Sequence, residues 1–250
     1  MTEPSSAAAT DLAPTGVLRA AINFGNPVLA QKDPASGEPR GVSVDLAREL
    51  AARLGVEVAF VPFEAAGQVV EALKTRAWDV AFLAIDPARA AGIAFTTPYV
   101  VIEGTYLVRA DSDLKKLADV DRDGVRVAVG RGAAYDLFLS RTIQNARLVR
   151  AETSSAAVEL FVSDRLEAAA GVRQPLEKYA AERTGYRVLD GRFTAIEQAM
   201  GVPLDNPAGH AFVGDFIEEM KASGFVTRSL QASGQGDAQL APAARRPAAR

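Results

Sequence analysis

The chain of 250 residues has no cysteine and one histidine, His210. The absence of cysteine excludes disulfides, thiolate catalysis and cysteine-based zinc sites. A Ser-His-Asp triad or a multi-histidine metal site would have to be built around His210 alone, which has no partner histidine. We therefore expect no metal and no other cofactor, and we place His210 on a partly exposed face of a C-terminal helix.

Long apolar runs and an excess of positive charge are also missing. No stretch is long and apolar enough to span a bilayer. The formal net charge of −3 gives no reason to expect nucleic acid or an anionic membrane as a partner. The hydrophobic content of 48% is sufficient for one large core or two smaller ones.

The two ends of the chain differ in composition from its middle. The start, MTEPSSAAATDLAPTG, lacks the basic region and apolar stretch of a secretory signal, so we interpret residues 1–14 as a flexible leader. The end, rich in Ala, Pro, Gly and Arg without periodicity, predicts a disordered tail over residues 231–250.

Between the ends, strand-like runs alternate with amphipathic segments. VLRAAIN, VEVAFVPF and DVAFLAI predict strands, and SVDLARELAARLG between the first two predicts a helix with Leu46, Leu50 and Leu54 on one face. VIEGTYLVRA predicts a further strand, after which the alternation restarts at VRVAVG. GRFTAIEQAMGVP then runs back towards the first unit. This order predicts an α/β protein of two lobes, residues 15–103 with 193–230 and residues 104–192, each a mostly parallel sheet flanked by helices.

One arginine lies where α/β proteins bind ligands. In AIDPARAAGIAFTTPY, Asp86 and Pro87 predict the start of a short helix directly after a buried strand, which places Arg89 in its first turn. Open α/β sheets bind ligands at the carboxyl ends of their strands. Arg89 is therefore either a ligand-binding residue or a solvated surface arginine.

Several segments, taken in order, resemble one family. The family is that of the solute-binding proteins of bacterial ABC importers that bind polar amino acids. The segments that resemble successive segments of this family are GVSVDLARELAARLG, ALKTRAWDVAF, DPARAAGIAFTTPYV, VRVAVGRGAAYDLFL and FIEEMKASGF. The resemblance runs from Val17 to about Leu230. It implies the type II periplasmic-binding-protein-like fold, in which two strands form the hinge and the ligand lies between the lobes.

The resemblance also implies roles for residues, and this chain departs from some of them. Arg89 matches the arginine that clamps the α-carboxylate of the ligand, a task that suits the two-pronged guanidinium. The aspartate that usually receives the ligand's ammonium group becomes Val172, followed by Arg173. The family's first-lobe acidic and aromatic residues become Asn23 and Asn26, and the threonine before the arginine becomes Ala84.

These departures make a plain α-amino acid a doubtful ligand, because a buried ammonium group without a carboxylate is costly. A nearby Arg173 or Arg131 would suit an anion with two acidic groups or a neutral amide tail. Glu103 is either a replacement acidic partner or a surface residue at the hinge. In GRGAAYD, the Gly130 turn and the helix starting near Ala134 would favour an anion.

We expect a monomeric, non-enzymatic binding protein for a small carboxylate-containing or amino-acid-like solute, with an ABC transporter permease as its partner. One alternative is an enzyme on the same scaffold, similar to cyclohexadienyl dehydratase, with Glu103 or Glu197 as the general acid. Another alternative is a sensory module. The resemblance implies a periplasmic location, and the absence of a signal leaves a cytoplasmic one open.

Overall fold

The computed structural model describes residues 3–244. The strands are β1 Val17–Asn23, β2 Gln31–Lys32, β3 Pro39–Arg40, β4 Glu57–Phe63, β5 Val80–Ala84, β6 Ile93–Arg109, β7 Arg126–Gly130, β8 Arg147–Ala151, β9 Ala168–Val172, β10 Tyr186–Val188, β11 Thr194–Pro203 and β12 Gln239–Leu240. The α-helices are α1 Ser6–Leu12, α2 Val42–Leu54, α3 Ala66–Ala72, α4 Ala134–Thr142, α5 Ser154–Ser163, α6 Arg173–Glu182, α7 Pro207–Ala222 and α8 Phe225–Ala232.

Local chemistry accounts for the predicted helices. In α2, Leu46 and Leu50 are fully buried, and Gly55 ends the helix in the left-handed conformation with a φ of 68°. Thr153 caps α5 by accepting a 3.1 Å hydrogen bond from the Ala156 backbone N–H. His210 lies in α7, half-buried, as expected from the sequence.

The strands follow the order β4-β1-β5-β11-β6-β9-β7-β8, with β10 and β12 paired to β6. The parallel strand pairs are β1/β4, β1/β5, β7/β8 and β7/β9. The pairs that include β6 or β11 are antiparallel. We call the side with β4, β1 and β5 lobe 1 and the side with β9, β7 and β8 lobe 2. The two predicted parallel sets are therefore present.

Hydrogen bonding continues from one lobe to the other through β6. The described strands of the two lobes, apart from the separate β2/β3 pair, therefore share one network instead of forming two separate sheets. In the first part of β6, Ile93 to Gly104 pair with β11, and from Gly104 onward β6 pairs with β9. The boundary between residues 103 and 104 stays a prediction, and it lies where β6 changes partner. The two crossing strands β6 and β11 form the hinge of a type II periplasmic-binding-protein-like fold.

The described parts of both ends differ from the flexible segments that the composition predicts. Residues of the predicted leader form α1, where Leu12 is fully buried and the Asp11 carboxylate accepts a 2.9 Å hydrogen bond from the Gly209 N–H in α7. In the predicted tail, β12 pairs with Val100 and Val101 of β6. Tertiary contacts order these segments, which lack the periodicity of independent elements. Residues 245–250 lie outside the described residues.

The helices of residues 3–244 include none that is long and apolar enough to cross a membrane.

Candidate functional site

A small cavity lies between the lobes, at the carboxyl ends of their parallel strands. Its volume is about 40 Å³. Lobe 1 contributes the ends of β1 and β5 and the start of α3, and lobe 2 contributes the starts of α4 and α5. The lining residues are Asn23, Gly25, Asn26, Ala65, Ala66, Leu83, Ala84, Arg89, Gly130, Arg131, Ala133, Ala134, Tyr135, Thr153, Ser154, Val172, Ile196 and Gln198.

Arg89 is the central polar residue of this cavity, and only 3% of it is exposed to solvent. The alternative of a solvated surface arginine is therefore wrong. The predicted helix is also absent: residues 87–92 form consecutive turns, in which Asp86 still accepts a hydrogen bond from the Ala88 N–H, as a helix cap would.

The Arg89 guanidinium uses two of its nitrogens on backbone carbonyls. Nη1 donates to Ala84 O at 3.0 Å in its own lobe, and Nη2 donates to Gly132 O at 2.8 Å in lobe 2. Nε is buried and has no hydrogen-bond acceptor. Burial lowers the pKa of Arg89 to about 10, although the charge of nearby Asp86 opposes this.

Asp86 does not neutralise Arg89, because it is engaged elsewhere. Its carboxylate accepts a 2.8 Å hydrogen bond from Arg141 Nη2 of lobe 2 and another from the Ala88 N–H. No ion pair forms between Arg89 and any acidic residue of the described chain. The cavity thus holds a buried cation without an anionic partner, which is energetically unfavourable unless a ligand supplies one.

Neutral hydrogen-bonding groups surround Arg89. Asn26 Oδ1 is buried without a donor, whereas Asn23 Oδ1 accepts from the Gly25 N–H at 3.0 Å. The amide of Gln198, a buried residue of β11, forms no hydrogen bond to the described part of the chain. Tyr135 donates its hydroxyl proton to Ser154 Oγ at 2.9 Å. None of the described lining residues is acidic.

Two helix starts from lobe 2 meet at the cavity. Ala134 begins α4, and Ser154 begins α5 after its cap, Thr153. Helix N-termini carry a partial positive charge and favour anions. Together with the unpaired Arg89, they give the cavity a positive electrostatic character.

The structure brings most of the sequence-predicted residues to the cavity. The predicted residues that line it are Asn23, Asn26, Ala84, Arg89, Gly130, Arg131, Ala134 and Val172. Arg131 Nε, however, pairs with the exposed carboxylate of Glu152 at 3.2 Å.

Glu103 and Arg173 do not line the cavity, and a role of either residue in ligand binding stays a prediction. They face each other at the hinge: Arg173 Nε donates to Glu103 at 2.7 Å, and Arg192 donates to the same carboxylate at 3.1 Å. The bonds to Arg173 and then to Arg192 hold the pKa of Glu103 below its usual value. Mutual neutralisation satisfies these charges without a ligand.

The sequence reasoning missed Tyr135, Thr153, Ser154 and Gln198. Thr153 and Ser154 lie just beyond the carboxyl end of β8, after Glu152. The rule that singled out Arg89 after β5 would therefore also have found them. Gln198 lies within β11, and its position at the cavity depends on how this crossing strand pairs with β5 opposite Ala84.

A larger chamber of about 410 Å³ adjoins the cavity. Gly25, Tyr135, Ser154 and Val172 line both spaces. The remaining lining residues of the chamber are Phe24, Pro27, Ser155, Val158, Glu159, Ala170, Gly171, Pro175, Leu176, Tyr179 and Arg183.

Two α/β lobes, a hinge of two strands and a polar cavity between the lobes define a two-lobed solute-binding protein. The sequence pattern of the bacterial extracellular solute-binding proteins, family 3, matches residues 18–232. The chain belongs to this family.

Named relatives agree with this assignment. The glutamate-binding protein GluB of Corynebacterium efficiens is 27% identical over 163 residues, which are 62% of this chain and 55% of that protein. The chain thus matches about half the length of this curated relative. Holo ArgBP from T. maritima is 25% identical with a TM-score of 0.74, covering 87% of this chain and 96% of its own. The ancestral amino acid-binding protein AncCDT-1, a precursor of cyclohexadienyl dehydratase, is 26% identical with a TM-score of 0.76, covering 90% and 98%.

Proposed function

We propose that this protein binds a small solute with one carboxylate in the interlobe cavity, where Arg89 holds the carboxylate. The observation that carries the proposal is the buried guanidinium, which has no anionic partner and whose Nε lacks an acceptor. A ligand carboxylate would supply both the missing charge and the missing acceptor. Charge-assisted hydrogen bonds of this kind are stronger than neutral ones.

Charge balance favours a monoanion over a zwitterionic amino acid. Arg89 contributes one positive charge, and the described lining residues include no carboxylate to oppose an ammonium group. A bound monoanion would leave the cavity neutral, whereas a zwitterion would leave a net positive charge in a buried site. Val172 lies at the cavity, and the resemblance implies that the family carries an aspartate at this position.

The relatives suggest related ligands with different charges. The named proteins above are described as binding glutamate, arginine or amino acids in general. For this chain we propose a ligand that has the carboxylate group which such ligands share but lacks their other charged groups. We further propose that the protein is a monomer that works in a periplasmic or extracellular location. There it would deliver its ligand to an ABC transporter permease.

We favour binding over catalysis because the candidate acids lie away from the cavity. Glu103 is held in ion pairs at the hinge, and Glu197 is an exposed residue of β11. A dehydratase would need a general acid within hydrogen-bond reach of its substrate. Neither residue lines the cavity.

The test is calorimetry on the wild type and Arg89→Ala with the best ligand from a thermal-shift screen. The screen compares the twenty amino acids with mono- and dicarboxylates at neutral pH. Losing a charge-assisted bond to a buried carboxylate costs about 1.5–3 kcal/mol, so the affinity should fall at least about tenfold. Equal affinities of the two proteins would exclude Arg89 as the anchor, and a common α-amino acid as the best ligand would contradict the preference for a monoanion.

A further inference from the structure

The cavity at Arg89 is small compared with the usual small-molecule pocket. Its volume is about 40 Å³, whereas such pockets usually have roughly 300–1,000 Å³. We therefore expect the part of a ligand beyond its carboxylate group to extend out of this cavity.

The adjoining chamber is the space into which such a molecule can extend. Gly25, Tyr135, Ser154 and Val172 line both spaces, so the two are adjacent. The chamber volume of about 410 Å³ falls within the usual range of small-molecule pockets, roughly 300–1,000 Å³. Both lobes contribute walls, with Phe24 from lobe 1 and α5 and α6 from lobe 2.

The walls of the chamber are mainly apolar. Phe24, Val158, Leu176 and Tyr179 supply aromatic and aliphatic surface. The acidic lining residue, Glu159, is exposed at the outer rim. The basic one, Arg183, is also exposed, and its guanidinium lies 4.2 Å from the centre of the Tyr179 ring.

From these volumes and walls, we infer that the ligand is a monocarboxylate with an uncharged aliphatic or aromatic tail, and that the chamber binds this tail. The inference rests on the proposed role of Arg89 as the carboxylate anchor. It adds the chemistry of the other end of the molecule. Burial of the tail between Phe24 and the helices of lobe 2 would also couple tail binding to the contact between the lobes.

The experiment compares carboxylates of increasing tail length by calorimetry on the full chain. Butanoate, pentanoate, hexanoate and 3-phenylpropanoate carry apolar tails, while adipate and L-arginine place a charge at the far end. We expect the affinity to increase about fourfold for each added methylene, as burial of a methylene group predicts. Hexanoate should bind more tightly than adipate or L-arginine.

A matched pair of aromatic residues tests the chamber itself. Tyr179 and Tyr186 are both half-buried, and their ring centroids lie 5.5 Å apart, but only Tyr179 lines the chamber. Tyr179→Ala should weaken 3-phenylpropanoate at least about fivefold, as loss of an aromatic contact and its area implies, and change butanoate binding by less than twofold. Tyr186→Ala should leave both affinities within twofold of the wild type.

The outcomes separate the two proposals. Tighter binding of adipate or L-arginine than of hexanoate would overturn the apolar tail, and the anchor would stand if Arg89→Ala still lowered the affinity at least about tenfold. Equal binding of all chain lengths would overturn the tail in the same way. If hexanamide bound as tightly as hexanoate, the carboxylate anchor would be overturned, and with it the proposed binding of the tail. The same conclusion would follow if none of these compounds bound.

Discussion

Gly67 of lobe 1 and Gly132 of lobe 2 pack directly against each other across the cleft. A β-carbon on Gly132 would lie 3.1 Å from the Gly67 Cα, and one on Gly67 would lie 3.3 Å from the Arg131 carbonyl oxygen. Gly132 also has a φ of +69°, which few other residues adopt. The missing side chains therefore allow the lobes to meet above the cavity.

The first prediction is that Gly67→Val holds the lobes apart. The branched side chain would meet the Arg131 carbonyl, while the position within α3 tolerates a side chain locally. Small-angle scattering should give a larger radius of gyration than for the wild type, and ligand affinity should fall at least about tenfold. Gly214→Val in α7, where nothing lies within 4 Å of the added β-carbon, is the control. Unchanged scattering for Gly67→Val would mean that the glycine contact does not limit the approach of the lobes.

The second prediction concerns the ion pair between the lobes. Arg141→Ala removes the partner of Asp86, whose side chain is only 5% exposed, but the arginine itself is half-exposed. The free energy of unfolding should therefore fall by about 1 kcal/mol, and this loss should be smaller in 1 M NaCl, where salt screens the ion pair. Urea unfolding measures both values. Arg147→Ala, at an exposed position of β8 without an ion pair among the described residues, should have no such salt-dependent effect. A salt-independent loss for Arg141→Ala would point to packing instead of charge.

The third prediction is that the anchor reduces the stability of the ligand-free protein. Burial lowers the folded-state pKa of Arg89 to about 10, well below that of an exposed arginine. Below pH 10 both folded and unfolded states carry the proton, so the folded state bears the full cost of burying the charge, about 3 kcal/mol. The cost is relieved only as the pH rises above about 10.

At pH 7, Arg89→Met should leave the free energy of unfolding unchanged or higher, because relief of this cost offsets the two lost bonds to carbonyls. The comparison is Arg150→Met, which leaves the buried carboxylate of Asp136 without its ionic partner. That variant should lose about 1–3 kcal/mol. Chemical denaturation of both variants gives the two values, and a larger loss for Arg89→Met would contradict the cost assigned to its burial.

The fourth prediction separates the hinge from the ligand site. Arg173 and Arg192 lower the folded-state pKa of Glu103 below 4.5, so its stabilising effect is complete above pH 4.5 and lost as the pH falls through the lowered pKa. Glu103→Gln should be less stable than the wild type at pH 7 and equally stable at the lowest pH. Urea unfolding between pH 7 and 2 tests this, with Glu57→Gln, at an exposed position of β4, as the control. The ligand affinity of Glu103→Gln should stay within twofold of the wild type. A tenfold loss of affinity would mean that Glu103 contributes to the ligand site.

The strands and the position of Arg89 could be predicted because both depend on local patterns. Buried runs such as VAFLA define β5, and ligands bind at the carboxyl ends of such strands, which singled out Arg89. Asn23 was identified only through the resemblance to the family. The ion pair between Glu103 and Arg173 was not predicted because it depends on register: β6 aligns Gly104 with Val172, which sets the neighbouring side chains face to face. No sequence pattern encodes that register.

The N-terminal helix was missed for a different reason. SAAATDL contains one large apolar residue, Leu12, so it has no amphipathic period. Its helix is stabilised by Ser5 as the cap and by the hydrogen bond that the Asp11 carboxylate accepts from the Gly209 N–H of α7. Such distant partners are invisible in a local window of sequence.

The position of β11 bears on how the nascent chain folds. This strand lies between β5 and β6 in the sheet, although residues 104–192 are synthesised before it. Until the ribosome has delivered residues 194–203, β5 and β6 lack the strand that joins them, and each presents an unpaired edge. Unpaired strand edges invite aggregation. Lobe 2 can thus assemble during translation, whereas lobe 1 has to wait, so the interval before β11 emerges is the stage at which a chaperone would matter most.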